Sequence, residues 1–262
     1  MSYPYPKNII NNLNNIKINN YGHYNYRFID FFFNNFKSNK YLIIYLHGAI
    51  YIDKQTNKVI KKPIFYHWNY VYNNCDTLCL SDKLLDDYHD TNLELSWFLS
   101  TVNNNYFDIY IEILKFILSK KYKKVIFIGI SGGCYAAILF SSYFKVNCLI
   151  FNPQIYLNKY YYFSKFLDCL KITRNDVDIN IESFLIKNGP PNKIVMVANE
   201  NDIHSYKEHC IFFELFMLKH FEENIETIYF NGNDPKGGKT HHRIFIPINL
   251  NLNDLLFYTL LQ

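Results

Sequence analysis

Lys124-Val125-Ile126-Phe127-Ile128-Gly129-Ile130-Ser131-Gly132-Gly133-Cys134-Tyr135-Ala136-Ala137-Ile138-Leu139-Phe140 joins an apolar, branched run to a helix-compatible one through the turn Gly129-Ile130-Ser131-Gly132-Gly133. A strand of that composition, then a G-x-S-x-G turn, then a helix opening on small residues, is the pattern of a nucleophile elbow. Such a turn holds a serine hydroxyl outward on a strained backbone, while the flanking strand and helix approach too closely to admit side chains. Glycine at 129, 132 and 133 meets that demand. The competing reading is an ordinary glycine-rich turn. The position near the middle of the chain, after a clean strand, favours Ser131 as a nucleophile.

Outward from the elbow, aromatic and branched runs alternate with helical patterns. Tyr26-to-Phe33 and Tyr41-to-Leu46 read as an opening hairpin or a pair of neighbouring strands. Further strands are expected at Thr77-to-Leu80, Lys124-to-Ile128, Asn147-to-Phe151, Lys193-to-Val197 and Glu226-to-Phe230. Helices are expected at Tyr106-to-Lys120, Gly133-to-Phe144, Ser205-to-Phe221 and Asn253-to-Leu261. Short strands alternating with helices of this length predict an α/β architecture, a mainly parallel sheet with helices on both faces. Tyr156-to-Pro191 breaks the rhythm and is a candidate cap or lid within a single domain spanning 1–262.

The 262 residues are 49% hydrophobic, enough for one sizeable core, and the net charge of +4 is dispersed among acids and asparagines. No basic stripe points to nucleic acid. The N-terminus lacks the basic-then-apolar pattern of a signal peptide, and no uncharged apolar run is long enough to span a bilayer, so a soluble, cytoplasmic protein is expected. The six cysteines form neither a zinc-ligand array nor a disulfide framework and are expected to be reduced and mostly buried.

A serine hydroxyl attacks well only when a base removes its proton, most often a histidine oriented by a carboxylate. In an elbow-bearing chain the order is Ser, acid, His. Asp202 follows the run Lys193-to-Ala198 in the turn Asn199-Glu200-Asn201-Asp202, with Glu200 as the competing carboxylate. A plain N-cap of the next helix is the alternative for Asp202. The base is expected at His242 or His241 in Gly237-Gly238-Lys239-Thr240-His241-His242, with a slight preference for His242; His204 is a weaker choice.

The oxyanion formed on attack needs fixed backbone N–H donors. Gly132 would supply one, and His47-Gly48-Ala49, directly after an apolar strand, the other, through Ala49 beside Gly48. His47 itself reads equally as a histidine packed at a strand end or as a functional group. The Gly-Gly-Lys-Thr of residues 237–240 fails as a phosphate loop, because position 233 is asparagine and no helix-forming run follows. The histidine spacings match no common metal-ligand pattern, so no metal is expected.

Ser131-Gly132-Gly133 with Ala136-Ala137, then Phe151-Asn152-Pro153-Gln154, Asn201-Asp202 with a nearby histidine, the helix Glu208-to-Phe221 and a Gly-Gly loop with histidine together resemble the α/β-hydrolase-fold O-acetyltransferases of bacterial capsule biosynthesis, of the meningococcal serogroup A type. The similarity runs from Lys123 onward. Upstream, only Leu80-Ser81-Asp82 and Trp97 resemble related polysaccharide-cluster proteins. The resemblance implies an α/β-hydrolase fold and transfer of an acetyl group from acetyl-CoA, as donor substrate with no bound cofactor, to a carbohydrate hydroxyl. Ser131 would carry the acetyl, Asp202 would orient the histidine, and His242 or His241 would move protons. His47, Asp82 and Trp97 would contact substrate. Two other functions stay open: a serine esterase or thioesterase with the same triad, and a non-catalytic scaffold of a glycan-assembly or secretion complex.

Overall fold

A computed structural model of the chain describes residues 7–16, 22–34, 40–50, 52–53, 58–59, 75–88, 91, 93–178, 180–232 and 259. The chain divides into two compact units, one of Met1–Val125 with Ser164–Asp178, the other of Ile126–Phe163 with Ile179–Gln262.

The first unit holds β1 (Lys7–Ile10), β2 (Gly22–Tyr26), β3 (Ile29–Asn34), β4 (Tyr41–Leu46), the short β5 (Ile52–Asp53) and β6 (Lys58–Val59), and β7 (Cys75–Leu80). β1 runs parallel to β2, β2 and β3 form an antiparallel hairpin, and β7 pairs antiparallel with β3 and parallel with β4. Phe31, Phe32 and Phe33 of β3 and Leu42 and Ile44 of β4 are fully buried. The helices are α1 (Lys83–Asp87) and α2 (Tyr106–Leu118), the latter burying Tyr110, Ile111, Ile113, Leu114 and Ile117 along one face.

Two sequence expectations need correction here. Tyr26-to-Phe33 is not one extended segment but the hairpin β2–β3, reversed at Arg27 and Phe28 with φ of 45° and 69°. Two positive φ values give the twist a two-residue hairpin turn needs, but the usual signature is Asn-Gly, so Arg-Phe conceals the turn. Nor are β3 and β4 neighbours, because β7 lies between them.

In the second unit β8 (Lys124–Ile130, belonging to this unit from Ile126 onward), β9 (Asn147–Phe151), β10 (Ile194–Asn199) and β11 (Ile225–Phe230) follow one another in parallel, with Ile126 opposite Asn147, Cys148 opposite Ile194 and Ile194 opposite Ile225. Leu149, Ile150 and every residue of Ile194–Ala198 are fully buried, as expected of parallel strands covered on both faces. α3 (Gly133–Phe144) connects β8 to β9 over the expected residues and ends at Lys145, whose φ of 53° is left-handed.

The described residues of Tyr156-to-Pro191 contain no strand, as the sequence suggests. It forms α4 (Tyr162–Leu170), α5 (Ile181–Asn188) and 3₁₀ turns at Leu157–Lys159 and Arg174–Asp176. Within it Ser164–Asp178 belongs to the first unit and the remainder to the second. The helix expected over Ser205-to-Phe221 is broken into α6 (Ile203–Ser205), a π segment at Tyr206–Cys210, and α7 (Ile211–Phe221). The expected helix at Asn253-to-Leu261 lies outside the described residues apart from Thr259. All six cysteines are free, five of them buried. Among the described residues no helix is long and apolar enough to cross a membrane.

Candidate active site

Ser131 stands between β8 and α3 with φ of 53°, in the left-handed region that costs a non-glycine residue roughly 1–2 kcal/mol. Its backbone is fixed on both sides. Ser131 N donates to Phe151 O at 2.9 Å, while Ser131 O accepts from Gln154 N and Cys134 N, each at 3.2 Å. Gly132, the N-cap of α3, has φ −63° and ψ −29°. The strained residue is therefore the serine itself, and Gly132 adopts a conformation open to any residue. The first amides of α3 have no partner within the helix, and its dipole favours negative charge at this end.

Gly129, the next-to-last residue of β8, shows why a glycine is needed where the helix meets the strand. A Cβ there would lie 2.5 Å from Cys134 Cα, 2.7 Å from Cys134 N and 2.8 Å from Gly133 O, all backbone atoms of the incoming helix. No side-chain rotation relieves such a clash. Gly129→Ala is expected to displace α3 from β8 and lower stability by about 1–3 kcal/mol, which chemical denaturation of the variant measures. Wild-type stability in that variant would contradict the close approach.

A thiol also lies near the elbow, that of Cys134, three residues on. It is fully buried, its Sγ lies 3.3 Å from Phe151 O, and burial raises its thiol well above the usual range. Burial also pushes Cys148 and Cys210 up to about 12, so these thiols stay protonated and unreactive at neutral pH.

Asp202 is buried in the turn after β10 and caps α6. Its Oδ1 accepts from Ser205 N at 3.4 Å, its own N donates to Asn199 O at 3.0 Å, and its carbonyl accepts from Tyr206 N at 2.8 Å. The capping alternative is thus realised, on the turn that follows β10. Glu200, the competing carboxylate, is half-buried and ties its backbone N to Phe230 O of β11 at 2.9 Å. His204 is exposed on α6 beside the rings of Tyr160 and Tyr161. His241 and His242 lie outside the described residues.

One buried histidine without a role in the sequence reading is His209, in the π segment. Its Nδ1 accepts from Ile155 N at 3.2 Å and Tyr156 N at 3.1 Å, which places the proton of the neutral ring on Nε2. It fastens the chain after β9, and no sequence pattern marks such a bond in advance. Among the described residues no three His, Cys, Asp or Glu side chains converge as a metal site.

The residues named upstream belong to the first unit. His47 is buried, its Nδ1 donates to Gly48 O at 2.8 Å and its Nε2 accepts from Asp82 N at 3.2 Å. It is a neutral strut between the ends of β4 and β7. Ala49 follows Gly48 and is half-buried. Asp82 is buried and its Oδ2 accepts from Phe98 N at 2.8 Å; Trp97 is fully buried, edge-on to Phe166. Trp97 and Phe98 have φ of 55° and 58°, a costly conformation for two bulky residues in succession.

Burial lowers His47 from 6.5 to about 4 and raises Asp82 to about 6. A histidine that binds its proton less tightly when folded stabilises fully above pH 6.5, and this contribution, roughly 3 kcal/mol at these values, is lost as pH falls towards 4. Asp82 works oppositely, because its folded form holds the proton more tightly and acid relieves its burial. His47→Gln is therefore expected to remove the acid-sensitive part. Its denaturation midpoint should decline less than that of the wild type from pH 6.5 to 4, and equal slopes would contradict the neutral strut.

No protein-family profile matches the chain, and no curated protein matches its sequence. Solved structures do. The capsule O-acetyltransferase of Neisseria meningitidis serogroup A superposes with a TM-score of 0.54 at 13% identity, over 83% of this chain and 89% of that one. An S-formylglutathione hydrolase from Agrobacterium tumefaciens gives 0.48 at 10% identity over 78% and 80%, and an esterase of Pyrococcus furiosus 0.45 at 16% identity over 78% and 77%. The chain has an α/β-hydrolase fold with a mainly parallel sheet, as the sequence led one to expect.

Proposed function

We propose that the protein is a serine acyl-transfer enzyme, and specifically an O-acetyltransferase that moves an acetyl group from acetyl-CoA to a carbohydrate hydroxyl. The observation carrying the acyl-transfer reading is Ser131 at φ 53° on the turn between β8 and α3, with Asp202 buried on the turn after β10. The chain order Ser, acid, His completes a triad if His242 or His241 is the base.

In this reading the histidine takes the Ser131 Oγ proton as the oxygen attacks the thioester carbonyl. The Gly132 N–H, at the positive end of α3, binds the oxyanion, and the coenzyme leaves as a thiol carrying the proton returned by the histidine. A sugar hydroxyl then gives its proton to the histidine and attacks the acetyl-serine, releasing the acetyl ester and restoring Ser131. Asp202 holds the imidazole and stabilises its charged form. The acetyl donor and carbohydrate acceptor rest on the resemblance carried by Ser131-Gly132-Gly133, Phe151-Asn152-Pro153-Gln154 and Asn201-Asp202.

The test is incubation with radiolabelled acetyl-CoA and a panel of capsule-type oligosaccharides. Label transferred to a saccharide by the wild type and not by Ser131→Ala is the expected result. Hydrolysis of simple esters with no use of acetyl-CoA would replace the transferase reading with an esterase using the same serine. No turnover of any acyl donor would leave the scaffold reading in its place.

A further inference from the structure

The motif Phe151-Asn152-Pro153-Gln154 has no chemical role in the steps above, yet its atoms reach both the elbow and the acid turn. Phe151 O and Gln154 N hold the two ends of the Ser131 peptide, at 2.9 and 3.2 Å. Asn152 is buried with φ of 43°, a conformation asparagine tolerates better than most residues. Its N donates to Val197 O at 2.9 Å, and its Oδ1 accepts from Asn199 N at 2.8 Å. Pro153 O accepts from Ser205 Oγ at 3.2 Å.

Asn199, at the end of β10, continues the chain of bonds. Its carbonyl accepts from Asp202 N at 3.0 Å, and its Oδ1 accepts from Asn201 N and Gly232 N, each at 3.1 Å. Its Nδ2 donates to Gly232 O at 2.9 Å. One buried asparagine thus shapes the turn carrying Asp202 and grips the first residues beyond β11, while the other docks that turn onto the segment that also fixes Ser131.

We infer that Asn152 and Asn199 are positioning residues that keep the Asp202 turn in register with the Ser131 elbow. Their catalytic consequence rests on the triad reading above; the brace itself rests on the bonds. Neither side chain needs to touch substrate. A displacement of about 1 Å at a reacting group can cost on the order of 10²-fold in rate, so the fold needs buried amides here rather than apolar packing.

The test uses Asn152→Gly, which accepts the left-handed φ while deleting the acceptor, and Asn199→Ala. Amide hydrogen exchange is read over residues 199–206, and ester turnover over pH in the same samples. Asn152→Gly is expected to expose Asn199 N–H, with faster exchange across 199–206 in a protein that still melts cooperatively. Both variants should lower kcat by roughly 10- to 100-fold with KM little changed. The acid limb of kcat/KM should move to lower pH, because a carboxylate held less well raises the imidazole pKa less. Wild-type exchange over 199–206 in folded Asn152→Gly would overturn the brace. Faster exchange with unchanged kcat and pH profile, in a wild type whose Ser131 is reactive, would overturn the positioning role. A wild type without a reactive Ser131 would sink the triad reading, while the exchange result would still decide the brace.

Discussion

Ser131→Ala is expected to lower acyl turnover by roughly 10⁴- to 10⁶-fold, the loss typical when a triad nucleophile is removed. The same position predicts a gain elsewhere. Ser131 holds φ of 53° against its own preference, so Ser131→Gly, which accepts that conformation freely, should be as inactive as the alanine variant yet about 1 kcal/mol more stable. Urea denaturation of the two variants beside the wild type reads both effects. A glycine variant that is no more stable would show that the strain is relieved by other means, and an active alanine variant would remove Ser131 from the chemistry.

Asp202→Asn separates the two roles open to that residue. Asparagine caps a helix about as well as aspartate, so the bond to Ser205 N and the stability should survive. A triad acid cannot be replaced so mildly, since the amide favours the wrong tautomer of the base, and turnover should fall by roughly 10⁴-fold. Asp202→Ala should show the same loss of activity with about 1 kcal/mol of stability lost from the cap. If Asp202→Asn keeps its activity, Asp202 is a cap and nothing more.

Much of the second unit is legible in the sequence, because β8, β9 and β10 are near-continuous apolar runs bounded by polar turns, while β11, Ile225-Glu226-Thr227-Ile228-Tyr229-Phe230, mixes polar residues into a half-buried, branched and aromatic run. α3 is likewise marked at both ends by Gly132-Gly133 and Lys145. The first unit is harder to read. β1 is only Lys7-Asn8-Ile9-Ile10, with three of its four residues exposed, and the β2–β3 turn uses Arg27-Phe28. The placing of β7 between β3 and β4 is a long-range pairing with no local signal.

The site divides in the same way. Ser131 and Asp202 become candidates through strand, turn and chain order, and the structure puts them on the turns after β8 and β10. The left-handed φ on the serine and the backbone clash at Gly129 follow from how closely α3 meets β8, which only the fold reveals. Asn152, Asn199 and His209 act through side-chain-to-backbone bonds that have no periodicity, so although the motif Phe151-Asn152-Pro153-Gln154 and the turn beginning at Asn199 are visible in the sequence, the bonds these asparagines make are not. His47, which the sequence leaves equally open as a packed strand-end histidine or a functional group, makes two bonds that tie the ends of β4 and β7 and that no sequence pattern announces.

The most direct measurement is acid-quenched mass spectrometry of the protein mixed with acetyl-CoA or an activated acetyl ester. One acetyl group is expected on the peptide spanning Gly129–Gly133, on Ser131, and it should be absent in Ser131→Ala. Acyl turnover that proceeds with the acetyl group on another residue, or undiminished in Ser131→Ala, would contradict Ser131 as the nucleophile.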